Sequence, residues 1–374
     1  MQVKQKARTR GFVASSTLWL LSRKIQKNMT LCSPTYPISY LDTSDFYSRS
    51  LHILGGLSIP IHIFGAYCII FKTPKSMNSV KFTMLNFHLW VALVDIVFSL
   101  IVCPFLLFPL FAAGGFGILD RYGVSRTFQT FLQLGSIEVM FISIILIFEN
   151  RYFVIADVHK YWKAARKPWI ALNYLCAFSV GIPIYLAIPK DQEKSKLVVF
   201  EKLPCIIPIV TPDSLFVIAD DIFFYMVRGL IFNSAIIDQT LFFSWLTKRS
   251  LTKYGTRLSQ KTLKLQKQFL LAMNIQLSIP FLSLVIPLAY VFFEYYLKFY
   301  YQKYNNIAFI LFASHGLLST IVMLMVHTPY REFISENIRN FGYLMGLKVC
   351  RRERLTSVMP SIVSTRSRND VLIE

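Results

Sequence analysis

Residues 149–152 read Glu-Asn-Arg-Tyr. A carboxylate, an amide, a guanidinium and a phenol close an otherwise uncharged run, Ile-Ile-Leu-Ile-Phe at 144–148. Three chemistries fit such a set. It could be an interfacial stop, with Arg151 reaching for lipid headgroups and Tyr152 in an aromatic belt. It could be a catalytic cluster. It could be a switch, in which Glu149 and Arg151 pair locally in one state and Arg151 is released in another. The catalytic reading finds no support elsewhere. No GxSxG, HExxH, GxGxxG or phosphate-binding loop occurs, and the six His residues lack metal-ligand spacing. The expectation is a protein that is not an enzyme and carries no metal or cofactor.

Other ionisable residues also stand in apolar surroundings. Glu138 precedes Glu149 by eleven residues, about three helical turns, so both face one side. His88 and Asp95 are seven apart and share a helix face. Arg228 and Asp238 interrupt a later run. Ionisable groups in hydrocarbon are costly unless paired or hydrated. The expectation for His88 and Asp95 is a polar network between helices. Glu138 and Arg228 are expected either to line a ligand pocket or to pair with each other.

Helices that cross a membrane must position these groups. Of the 374 residues, 54% are hydrophobic and only 16% charged, against about a quarter charged in soluble domains. Crossing a ~30 Å hydrocarbon core takes roughly 20 apolar residues. Seven stretches qualify: 51–71, 82–110, 127–148, 168–189, 222–247, 268–293 and 305–327. The fifth is the poorest, because it holds Arg228 and Asp238. The predicted fold is therefore an all-α membrane protein, a seven-transmembrane helix bundle over residues 50–327. No internal repeat links its halves, which weighs against transporters built from inverted halves.

The net charge of +20 sits in short connectors, which argues for lipid-facing loops and against nucleic acid. The connectors after spans one, three and five, with the carboxy-terminal tail, hold 23 Lys and Arg; the other three hold 8. The positive-inside rule then puts the tail in the cytoplasm and the amino terminus outside. Residues 1–49 form the outer segment. Within it, 1–28 reads as an upstream extension with Met29 an alternative start, and Asn28 heads a glycosylation sequon. Cys32 and Cys205 both fall on the oxidising side and are expected to form a disulfide. After Pro329, apolar residues recur at helical spacing, so 328–349 is predicted as a short amphipathic helix on the inner leaflet. Cys350, beside Arg351 and Arg352, is a lipidation site or a free thiol. Residues 350–374, rich in Ser, Thr and Arg, are predicted disordered.

Stretches along the chain resemble one family. They are SIPIHIFGAYCIIFKTPKSM (58–77), MLNFHLW (84–90), FENRYF (148–153), RKPW (166–169), LPC (203–205), SQKTLKLQKQFL (259–270), QLSIPFLSLVIP (276–287) and HTPYREF (327–333). In this order they resemble the nematode serpentine receptors of class H, from about residue 32 to about 345. That resemblance implies a chemosensory G-protein-coupled receptor in the plasma membrane, possible in a sensory cilium, with a small-molecule ligand. It implies a heterotrimeric G protein docking around Glu149, Asn150, Arg151, Tyr152 and the Pro329-Tyr330-Arg331 turn. The basic run Lys261, Lys264, Lys267 would either anchor to lipid or meet the same partner. An Asn separates Glu149 from Arg151, which departs from the Asp-Arg-Tyr of rhodopsin-like receptors. The competing expectation is a multi-pass transporter or a ligand-gated ion channel.

Overall fold

The computed structural model describes residues 30–32, 37–156, 160–221, 223–254 and 260–344. The expectations on Asn28, Cys350 and the tail lie outside them.

Helix α1 (Ser44–Lys72) begins where the Thr43 hydroxyl accepts the Phe46 amide at 3.2 Å, with Asp45 in its first turn and Lys72 in its last. Both charges complement the helix dipole. Helix α2 (Asn78–Ile96) continues as a π-helix over Val97–Ile101 and then stops. The stretch expected as helix to residue 110 turns into a hairpin instead. Strand β1 (Pro104–Leu106) pairs antiparallel with β2 (Phe111–Gly115). The physical cause is Pro104. It lacks an amide proton and cannot continue the helical hydrogen bonds; the chain turns at Cys103, which has φ +45. The run is apolar because Phe105, Leu107 and Ala112 are buried in the same core as the helices.

Helix α3 (Arg126–Ile155) is capped by Ser125 and is apolar on all sides through its middle. Such a helix belongs inside. Its apolar stretch is 78% buried, against 22–50% for the other spanning helices. Span four is two pieces, α4 (Lys160–Phe178) and α5 (Gly181–Ala187). Helix α6 (Gln192–Lys202) follows, and β3 (Leu215–Ala219) completes a three-stranded sheet in the order β1-β2-β3. The Gln192 side chain clamps β3, donating to Val217 O at 2.9 Å and accepting from Val217 N at 3.0 Å.

Span five is α7 (Phe223–Tyr254) and span six is α8 (Gln260–Leu297), which contains Pro280 and Pro287. The basic connector expected at 248–267 is thus mostly helix, continuing both spans. Span seven breaks at Ser314 into α9 (Gln302–Ala313) and α10 (His315–Val326). Helix α11 (Thr328–Leu344) lies across the opposite end of the bundle from the sheet and carries most of the predicted amphipathic segment. Its Phe333 stacks on Phe64 and Tyr67 of α1, and the Lys72 ammonium sits 4.1 Å from the Phe333 ring centre.

Among the described residues, six of the spanning units are long and apolar enough to cross a membrane; α7 has the length but carries charge. Helix α7 packs chiefly on α3, while α8 packs on α10. At the sheet end, Cys32 and Cys205 form a disulfide across 173 residues of sequence, and the Leu31 amide donates to Lys202 O at 2.7 Å. The buried Asp42 carboxylate accepts from Ser39 N at 2.8 Å and Lys303 N at 2.9 Å. These contacts tie the segment before α1 to α6 and α9.

Candidate functional site

Three consecutive residues near the end of α3 reach three different helices. The Glu149 carboxylate is fully buried and faces α4, where Arg166 Nε donates to both of its oxygens at 2.9 and 3.0 Å. Trp162 Nε1 donates to the same carboxylate at 3.1 Å. Asn150 faces α2: its amide donates to Ser79 O at 2.9 Å and Thr83 Oγ1 at 3.0 Å. Its carbonyl oxygen accepts from Arg166 Nη2 at 3.1 Å. Arg151 faces α8, donating from Nη1 to Gln266 Oε1 at 3.0 Å, with its guanidinium 3.7 Å from the Phe269 ring centre. The local Glu149–Arg151 pair expected for the switch does not form. Residues two apart on an α-helix point to nearly opposite sides, so each must find its partner on another helix.

Arg151 is 2% exposed, and its Nε and Nη2 atoms have no hydrogen-bond partner. A buried cation with one hydrogen bond and one aromatic face is only part-compensated. The packing continues from Phe269 to His327 and from His327 to Tyr330, with ring centres 5.3 and 5.6 Å apart. The Tyr330 hydroxyl meets Thr73 Oγ1 at 2.8 Å, and burial pushes its phenol up to about 12. Pro329 opens α11, and Arg331 Nη1 donates to Met325 O at 3.3 Å. Lys264 and Lys267 are exposed on α8; the side chain of Lys261 lies outside the described residues.

Mid-bundle, Asp95 is 1% exposed and joins three spans. It accepts from the Gly316 and Leu317 amides at 3.0 and 2.7 Å, and His62 Nε2 and His315 Nδ1 lie 3.1 and 3.2 Å away. The break at Ser314 leaves the first amides of α10 without carbonyl partners, and the carboxylate fills that need. Gly316 is required there, since a Cβ would fall 2.5 Å from Asp95 Oδ2. His88 Nε2 lies 2.9 Å from His62 O.

Toward the sheet end, Arg228 of α7 grips Glu138 of α3 with both terminal nitrogens, Nη2 to Oε2 at 3.1 Å and Nη1 to Oε1. Gln133, also on α3, is buried with Nε2 unpartnered. Asp238 of α7 is exposed on the outside of the bundle.

Sequence reasoning did not reach Trp162, Arg166, Gln266, His62 or His315. RKPW (166–169) was visible, but it does not indicate which helix it meets.

A bundle of membrane-crossing helices around a buried third helix, with an Arg-centred polar junction at its end, has the architecture of a seven-transmembrane protein. Residues 42–340 match the family model of the serpentine type 7TM GPCR chemoreceptor Srh, and the chain belongs to that family. It is 26% identical over 291 residues to serpentine receptor class H-72 of Caenorhabditis elegans, covering 75% of this chain and 82% of that relative. It also aligns with the crystal structure of squid rhodopsin at a TM-score of 0.45 and 13% identity, over 84% of this chain and 93% of rhodopsin. The protein is thus a multi-pass membrane protein of a G-protein-coupled chemoreceptor family.

Proposed function

We propose that this receptor binds a small molecule among the sheet-end halves of its helices and activates a heterotrimeric G protein at the opposite end, without covalent chemistry of its own. The observation that carries the reading is Arg151. It is a buried guanidinium with two unpartnered donor nitrogens, held to span six by Gln266 and Phe269. A ligand that binds more tightly to an arrangement with span six displaced shifts the bundle toward it. Displacement breaks the Gln266 contact and presents Arg151 to an incoming partner. Lys264 and Lys267, exposed on the same helix, add positive charge at that face.

On this reading the protein sits in the plasma membrane with the sheet and the amino terminus outside and α11 against the inner leaflet. The Cys32–Cys205 disulfide supports that orientation, since disulfides persist in oxidising compartments. Glu138 and Arg228, already paired, would form part of the pocket wall and accept a ligand through their remaining lone pairs and N–H groups.

The test is Arg151→Ala in cells with a second-messenger readout, after a chemical screen has supplied an agonist. Agonist-driven signalling is expected to vanish while surface expression and binding persist. Agonist-evoked conductance that survives without G protein overturns the reading in favour of a channel.

A further inference from the structure

At the sheet end of span six stands a buried carboxylate that the coupling mechanism does not use. Glu294, one turn before the end of α8, is 0% exposed. Oε1 accepts from the Tyr290 hydroxyl and lies 3.4 Å from the Tyr301 amide; Oε2 has no partner. The Asn305 side chain hydrogen-bonds the carboxylate, while its Oδ1 is a second buried acceptor without a partner among the described residues. Among the described residues no Lys, Arg or His comes within ion-pair distance of Glu294.

The surroundings are built and not accidental. Asn305 Nδ2 donates to Phe108 O at 2.9 Å, so the hairpin turn fixes its orientation. Neighbouring Gln302 donates to Leu106 O at 3.2 Å and Asn306 Oδ1 at 2.7 Å, and Asn306 donates to Leu41 O at 2.8 Å. Tyr290, whose hydroxyl meets the acid, and Tyr301, whose amide does, have their rings 6.4 and 5.7 Å from that of Tyr304, centre to centre.

An acid buried among neutral donors, with one carboxylate oxygen and the neighbouring amide oxygen unpartnered, is complementary to a cation that carries N–H donors. A divalent metal fits poorly, since among the described residues no group of three or more His, Cys, Asp or Glu is arranged to hold a metal ion. We infer that Glu294 and Asn305 form a binding site for the ammonium group of a small organic amine. The inference names a ligand class for the receptor reading above and rests on it.

Full-length receptor in phospholipid nanodiscs is followed by thermal unfolding, with no G protein present. The probes are butylammonium, 1-butanol, butyrate and sodium chloride. Butylammonium is expected to raise Tm saturably while butanol and butyrate do not. Glu294→Gln should weaken the apparent affinity at least tenfold, and Asn305→Asp, which adds a second acid, should strengthen it. If Glu294→Gln does not accumulate, Asn305→Asp carries the test. The inference is overturned if both variants respond like the native chain, if butanol matches butylammonium, or if sodium alone saturates the shift. A negative result here leaves the Arg151→Ala signalling assay free to succeed, so the two failures are separable.

Discussion

Gln266 supplies the one hydrogen bond that holds Arg151 in the closed bundle. Such a bond contributes about 1 kcal/mol, so Gln266→Ala should shift a two-state equilibrium about fivefold toward the displaced form. The expected outcome is higher basal signalling at equal surface expression; unchanged or lower basal output contradicts the proposed switch. Asp95 is a different case, because it joins spans and faces no partner protein. Asp95→Asn leaves one oxygen for two amides and two imidazoles, a loss of about 1–3 kcal/mol. Thermal unfolding of the purified variant should show it, and Gly316→Ala should do the same through the clash at Asp95. At this scale the sequence was half readable. The residues with chemistry were conspicuous, since polar groups are costly in apolar runs. Their partners were not. Glu149, Asn150 and Arg151 are consecutive in sequence, yet diverge to α4, α2 and α8, and the direction each takes depends on packing that no local pattern contains.

The elements were legible where one rule governs them and obscure where two compete. Uninterrupted apolar runs with clean caps, as in α1 and α3, could be placed from length and end signals. The 82–110 run was too long because a buried strand and a membrane helix are equally apolar; Pro104 was the available signal, and membrane helices often tolerate proline. The helical end of α7 was hidden for the opposite reason, since a polar connector looks like a loop even where it winds on, whereas the three-residue recurrence of Lys261, Lys264 and Lys267 marked the helical lead into α8. Two elements yield predictions. Phe333→Ala removes the ring that holds α11 against α1. It should increase backbone hydrogen exchange across Thr328–Leu344 without changing exchange in α3. The Cys32–Cys205 bond staples the segment before α1 to the connection between spans four and five. Cys205→Ser should cost about 2 kcal/mol, the low end of the usual disulfide range, because the spans keep their helices when packing is lost. Reducing agent should lower the Tm of the native chain and leave that of the variant unchanged.

For the whole molecule, the bundle has a central helix, two ends of unlike architecture and a charge-bearing fifth span. The crossing number follows from apolar length, and the orientation we propose rests on where Lys and Arg fall. An epitope before Cys32 should therefore stain on intact cells, and one after Leu344 only after permeabilisation; the reverse pattern contradicts the orientation on which G-protein access depends. The lipid-facing Asp238 has a consequence for biosynthesis. It lies midway along α7, and a carboxylate in the bilayer centre opposes insertion by about 2.5 kcal/mol or more. Arg228 adds a second charge, which among the described residues Glu138 on the third span neutralises. Helix α7 is therefore a passenger of the nascent chain and not a self-inserting segment. Fused alone behind a reporter it should slip through the translocation channel into the lumen, whereas the same segment preceded by spans one to four should lodge in the membrane.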